Sequence, residues 1–148
     1  LENKLNLLGV IKRGSANIGK VNRPNNNDCW NVALALACNE TYEAIRKRFI
    51  KKASKNGGLY SYHYNSYLKK KNYKPYKTTC KTINKLADDT QHTPYEYVVS
   101  VKGHVVYVRH GIIYDSFKSD LHRIVTVYRR KISKRRKSIY QFFTKEVK

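Results

Sequence analysis

Apolar positions along this chain follow two regimes. In the first half they recur at spacings of three and four, as amphipathic helices require; from Tyr95 onward they gather in β-branched and aromatic runs. The run CWNVALALAC, residues 29–38, follows a polar, turn-rich approach, NRPNNND. It predicts a helix with Asn27 or Asp28 as N-cap and with Trp30, Ala33, Leu34 and Ala37 on one face. A second helix is expected over 42–55, capped by Thr41 and stopped at Gly57-Gly58. Its buried stripe is Tyr42, Ile45, Phe49 and Ala53, with Arg46, Lys47, Lys51 and Lys52 toward solvent. A short helix over 61–71 and another over 80–87, carrying Ile83 and Leu86, complete the helical part. Ahead of all these, KLNLLGVI reads as a short strand or a helical turn and KRGSANIGK as loop.

The later runs YEYVVSV, HVVYVRH and IIYDSF, broken by Gly103 and Gly111, predict an antiparallel meander. HRIVTVYRRKI, residues 122–132, reads as a fourth strand. Helices first and an antiparallel sheet of about four strands second make the class α+β.

At 148 residues the chain is long enough for one domain with a real core, and 41% apolar content is not the composition of a disordered chain. Residues 1–128 are expected to form that domain, with 129–148 as a basic tail. The formal net charge of +21 predicts attraction to polyanions, nucleic acid or an acidic surface. Three cysteines with no CxxC pair suit neither a disulfide framework nor a zinc site, so no metal or cofactor is expected and a reducing compartment fits. No apolar run of about 18 residues and no secretory pattern is present, which predicts no membrane span and no secretion. The chain contains no methionine, even at position 1, so trimming or release from a larger precursor is expected.

The candidate chemistry centres on Cys29. A thiol nucleophile needs a base, a group that orients the base, and donors for the oxyanion. A helix start favours negative charge, and a nearby imidazolium would favour the thiolate further. His104, opening GHVVYVRHG, is the candidate base; Asp115, in GIIYDSF, is the candidate orienting acid. A hairpin turning at His110-Gly111 pairs positions that sum to about 221, which brings 104 and 115 close to cross-strand neighbours. His110 is the main rival base, but a turn tip points away from the helix start. His122 precedes the last strand, and His63 and His92 fall in loops or short helices.

These residues resemble the papain-like cysteine peptidase superfamily, in which a cysteine heads the central helix and the histidine and acid come from the following sheet. NDCWNVALALACNETYEAI with GHVVYVRHGIIYDSF is similar to a compact group of phage and bacterial papain-like proteins. RPNNNDCWNVAL is also similar to the cysteine segment of picornaviral leader proteases of the foot-and-mouth disease virus type. The resemblance implies a helical half followed by an antiparallel sheet, and a viral or phage protease acting on polypeptide, its own precursor among the substrates. It implies Cys29 as nucleophile, His104 as base, Asp115 as orienting acid and Asn25 in the oxyanion hole, with Asn26 or Asn22 as alternatives. It further implies a location in the host cytoplasm or with the virion. Trp30 and Leu34 are expected to anchor the helix. Amidases and acyl transferases share the same triad and stay open as alternatives.

The charge supports a rival of a different class: a nucleic-acid- or virion-associated module on this scaffold, without catalysis. Its candidate contacts are Arg129, Arg130, Lys131, Lys134, Arg135, Arg136 and Lys137, with tyrosines as stacking faces.

Overall fold

The structure, a computed structural model, describes residues 17–19, 29–55, 58–114 and 122–133. The described residues form four α-helices and a six-stranded sheet, an α+β arrangement as the patterning predicts. Helix α1 spans Cys29–Cys38, α2 Tyr42–Phe49, α3 Ser61–Lys70 and α4 Ile83–Asp89. The strands are β1 (Asn17–Gly19), β2 (Lys74–Pro75), β3 (Tyr95–Val101), β4 (His104–Arg109), β5 (Ile112–Tyr114) and β6 (Ile124–Lys131).

The sheet order is β1-β5-β4-β3-β6-β2. Strands β3, β4 and β5 are joined by two-residue turns, and β6 returns to lie against β3 rather than β5. The meander is therefore three strands long, and the fourth closes a Greek key. All these pairings are antiparallel, as is β2 with β6; β1 pairs parallel with β5. The segment containing β1 reads as loop in the sequence, because three residues, Asn17, Ile18 and Gly19, gain strand geometry only from a non-local partner.

Two cores sandwich the sheet. On one face α1 packs with Val98, Val105, Tyr107 and Tyr114, backed by Ile45 and Phe49 of α2 and by Tyr64, Tyr67 and Leu68 of α3. On the other, Ile83, Leu86 and Ala87 of α4 meet Val99, Val101, Val106, Val108 and Ile113. Helix α1 is the centre of the first core. Trp30, Ala33, Leu34 and Ala37 are buried as predicted, but so is every other residue from Trp30 to Cys38. A helix apolar nearly all round, with Asn31 its one buried polar residue, is one enclosed on all sides. Edge-to-face contacts, Trp30 on Phe49 and Phe49 on Tyr67, tie α1 to α2 and α3.

Local chemistry sets the ends of the helices. The Thr41 hydroxyl accepts from the Ala44 N–H at 3.0 Å and caps α2 as expected. That helix ends at Phe49, tightening into a 3-10 turn over Ile50–Lys52, earlier than the predicted stop. The 80–87 helix begins later than predicted, at Ile83, because Thr82 caps it by accepting from the Lys85 N–H. The expected caps of α1, Asn27 and Asp28, lie outside the described residues. Arg129, Arg130 and Lys131, expected to open a tail, are the last residues of β6.

Candidate functional site

The position of α1 relative to the sheet follows from contacts at its two ends. At its C-terminal end the Ala37 carbonyl accepts from Tyr73 Oη at 2.6 Å and from Arg130 Nη2 at 2.7 Å. Arg130 Nε in turn bonds Glu96, near the start of β3, at 2.9 Å. At its N-terminal end Cys29 lies within electrostatic range of Tyr64, whose hydroxyl is 3.4 Å from Ser100 Oγ near the end of β3. Helix α1 thus runs antiparallel to β3 and parallel to β4. Cys29 comes to the end of the sheet where His104 begins β4.

Cys29 is the one residue of α1 that is not buried. Its neighbour Tyr64 is buried, and burial pushes the phenol above its ordinary range; the Ser100 hydrogen bond opposes this and the adjacent thiol adds to it. The other two cysteines are poorer nucleophiles. Cys38 is buried against the sheet. Cys80 lies 3.3 Å from Asp89 Oδ2, and burial pushes its thiol up, with the Asp89 carboxylate adding to the shift.

The β4–β5 hairpin has the expected register. Tyr107 pairs with Tyr114, Val108 with Ile113 and Arg109 with Ile112, around a two-residue turn at His110 and Gly111. Both turn residues have positive φ, 50° and 76°, the geometry that matches strand twist in a tight hairpin. His110 is therefore at the far end of β4 from Cys29, which removes it as a base. Asp115 and Asn25, with the alternatives Asn22 and Asn26, lie outside the described residues, as do Lys134, Arg135, Arg136 and Lys137.

His104 is buried at 8% exposure and pairs with Val101 across the Lys102–Gly103 turn. Strand alternation decides its face. Val105 and Tyr107 point toward α1, whereas Val106, Val108 and Val101 belong to the α4-side core. His104 has the parity of the second set. Cys29 and His104 are thus brought to one end of the sheet but assigned to opposite faces of it. His104 is the first residue of its strand, next to the Lys102–Gly103 turn at this end of the sheet.

The basic residues of β6 divide sharply. Arg130 is half-buried and fully used: besides Glu96 and Ala37 it donates from Nη1 to the Lys71 carbonyl at 2.8 Å and lies over the Tyr73 ring. It serves the fold rather than an external ligand. Arg129 points the other way, between Tyr76 and Tyr95, and Lys131 is exposed at the strand end. Sequence reasoning missed this aromatic bracket, since three residues far apart in the chain compose it.

Among the described residues no cluster of His, Cys, Asp or Glu is placed to hold a metal ion, and no helix is long and apolar enough to cross a membrane. No protein-family model matches the chain, nor does any curated protein or solved structure.

Proposed function

We propose that this protein is a papain-like thiol hydrolase, a viral or phage cysteine protease with Cys29 as nucleophile. One observation carries the reading: α1 is enclosed along its whole length except at its leading cysteine, which stands at the His104 end of β4. A helix start supplies free N–H groups that stabilise a thiolate and, later, the oxyanion of an acyl intermediate. In this mechanism His104 removes the Cys29 proton and Asp115 orients the imidazole. The thiolate attacks a peptide carbonyl, with the Cys29 N–H and the Asn25 amide holding the oxyanion. His104 then protonates the leaving amine, and water releases the acyl-enzyme. The substrate is a polypeptide, its own precursor included, in the host cytoplasm or the virion.

The strand parity of His104 favours a second reading, a scaffold of the same shape without catalysis, since an imidazole held on the α4 side never meets the thiol. A thiol-directed acylating probe separates the two. The hydrolase reading expects Cys29 to be labelled ahead of Cys38 and Cys80, with His104→Ala slowing labelling about 100-fold, in line with loss of a general base. It also expects a longer precursor to persist only when Cys29 is replaced by Ala. Labelling of Cys29 that is indifferent to His104 would establish the scaffold reading.

A further inference from the structure

Opposite the thiol end of α1, the sheet edge formed by β2 and β6 borders a cleft of about 800 Å³. Lys74, Lys77, Arg129 and Lys131 line it with Tyr76 and Tyr95, and among the described residues no acidic side chain does. The Arg129 guanidinium carbon lies 4.1 Å from the Tyr76 ring centre and 3.9 Å from that of Tyr95. Both rings lie within cation–π distance of the guanidinium, and its N–H groups are what it has to offer a ligand. No ion pair or side-chain hydrogen bond among the described residues engages those groups. The contrast with Arg130 next to it, whose guanidinium makes hydrogen bonds to Glu96, Lys71 and Ala37, is sharp.

We propose that this cleft binds the phosphate backbone of single-stranded nucleic acid, with Arg129 as the central phosphate fork and Lys74, Lys77 and Lys131 as flanking charges. A planar guanidinium held rigid by two rings loses little freedom when it grips a phosphate through two N–H groups. The lysines add charge without directional demands, which suits a ligand that slides. The volume is that of a small-ligand site, which suits a single flexible strand lying along it. This site shares no residue with the proposed thiol centre.

The test is fluorescence anisotropy of the full chain with a labelled single strand of roughly 12 nucleotides, within the span of one such groove. Arg129→Lys keeps the charge and loses the flat fork; it is expected to weaken binding roughly tenfold. Replacing Lys74, Lys77 and Lys131 together by Gln is expected to lower the slope of log affinity against log salt by about 2. The matched control replaces Lys47, Lys51 and Lys52, exposed on and after α2, by Gln at the same change in net charge. Binding of that control within about twofold of the native chain supports the cleft; an equal loss in both triple variants overturns it in favour of diffuse attraction. Competition by duplex or by polyglutamate as strong as that by the single strand also overturns it. Unchanged thermal unfolding and unchanged thiol labelling of the variants show that the fold stands and keep this result separate from the fate of the thiol centre.

Discussion

Glu96 is fully buried in a strand of a strongly basic protein, and its carboxylate is satisfied from two sides. Tyr107 Oη donates to Oε1 at 2.6 Å and Arg130 Nε to Oε2 at 2.9 Å. Through Arg130 the same network reaches the carbonyls of Ala37 and Lys71, so one ion pair fastens β3, β6, the end of α1 and the loop after α3. Removing one partner of a buried pair leaves the other charge without compensation, whereas replacing both by apolar groups is often close to neutral. Arg130→Met is therefore expected to destabilise the fold by roughly 3–5 kcal/mol in denaturant unfolding. Adding Glu96→Leu to it is expected to recover more than half of that loss. A single variant within about 0.5 kcal/mol of the native chain would show that the pair contributes nothing beyond a surface bridge. The sequence shows only a glutamate among aromatic and β-branched residues; its partner is thirty-four positions away in a basic run, and no local pattern links the two.

Among the elements, the two tight hairpins carry the strand register, and the second depends on Gly111. At φ 76° a side chain is already strained there, and a Cβ would lie 2.8 Å from the Cβ of Gln91, with the Ala87 carbonyl 3.5 Å away. Gly111→Ala is expected to cost roughly 2–4 kcal/mol, the left-handed penalty plus displacement of the segment after α4. Thermal unfolding measures it, and a shift of a degree or less would mean that the turn relaxes freely. This hairpin was readable beforehand, because glycine at a turn between two apolar runs fixes both the turn and the sum of the paired positions. Helix α1 was readable for a similar reason, an apolar run broken only by Asn31 after a polar loop. The face of His104 was not. After His104 the run VVYV is apolar throughout, since β4 is covered on both sides, and a strand of that kind has no polar alternation to say which residues look toward α1. The return of β6 to β3 and the pairing of β1 were equally hidden, because each depends on a partner distant in sequence. Thr82 as the cap of α4 was visible in principle, as a threonine directly before the first apolar helical residue.

At the scale of the whole molecule, charge and burial act against each other at high pH. The net charge of +21 implies self-repulsion that fades as lysines lose their protons near and above pH 10, which favours the compact state. Buried tyrosines act in the opposite sense. Burial pushes the Tyr114 phenol from 10.0 up to about 12, with Arg109 working weakly against the shift; Tyr64 and Tyr67 are raised by burial as well. Because the folded value is the higher one, the unfolded chain releases this proton first. The Tyr114 contribution is therefore whole below pH 10, falls as pH rises and is gone above about 12. Over that window a shift of this size corresponds to roughly 2–3 kcal/mol. The lysine effect is spread over the surface and is the same in a Tyr114→Phe variant, so the difference between the two proteins isolates the tyrosine. Their denaturant unfolding free energies are expected to hold a constant offset up to about pH 10 and then to diverge, the native chain losing stability faster. Parallel curves through pH 12 would mean that the Tyr114 hydroxyl is solvated in the folded state, and that this end of the α1-side core is open to water.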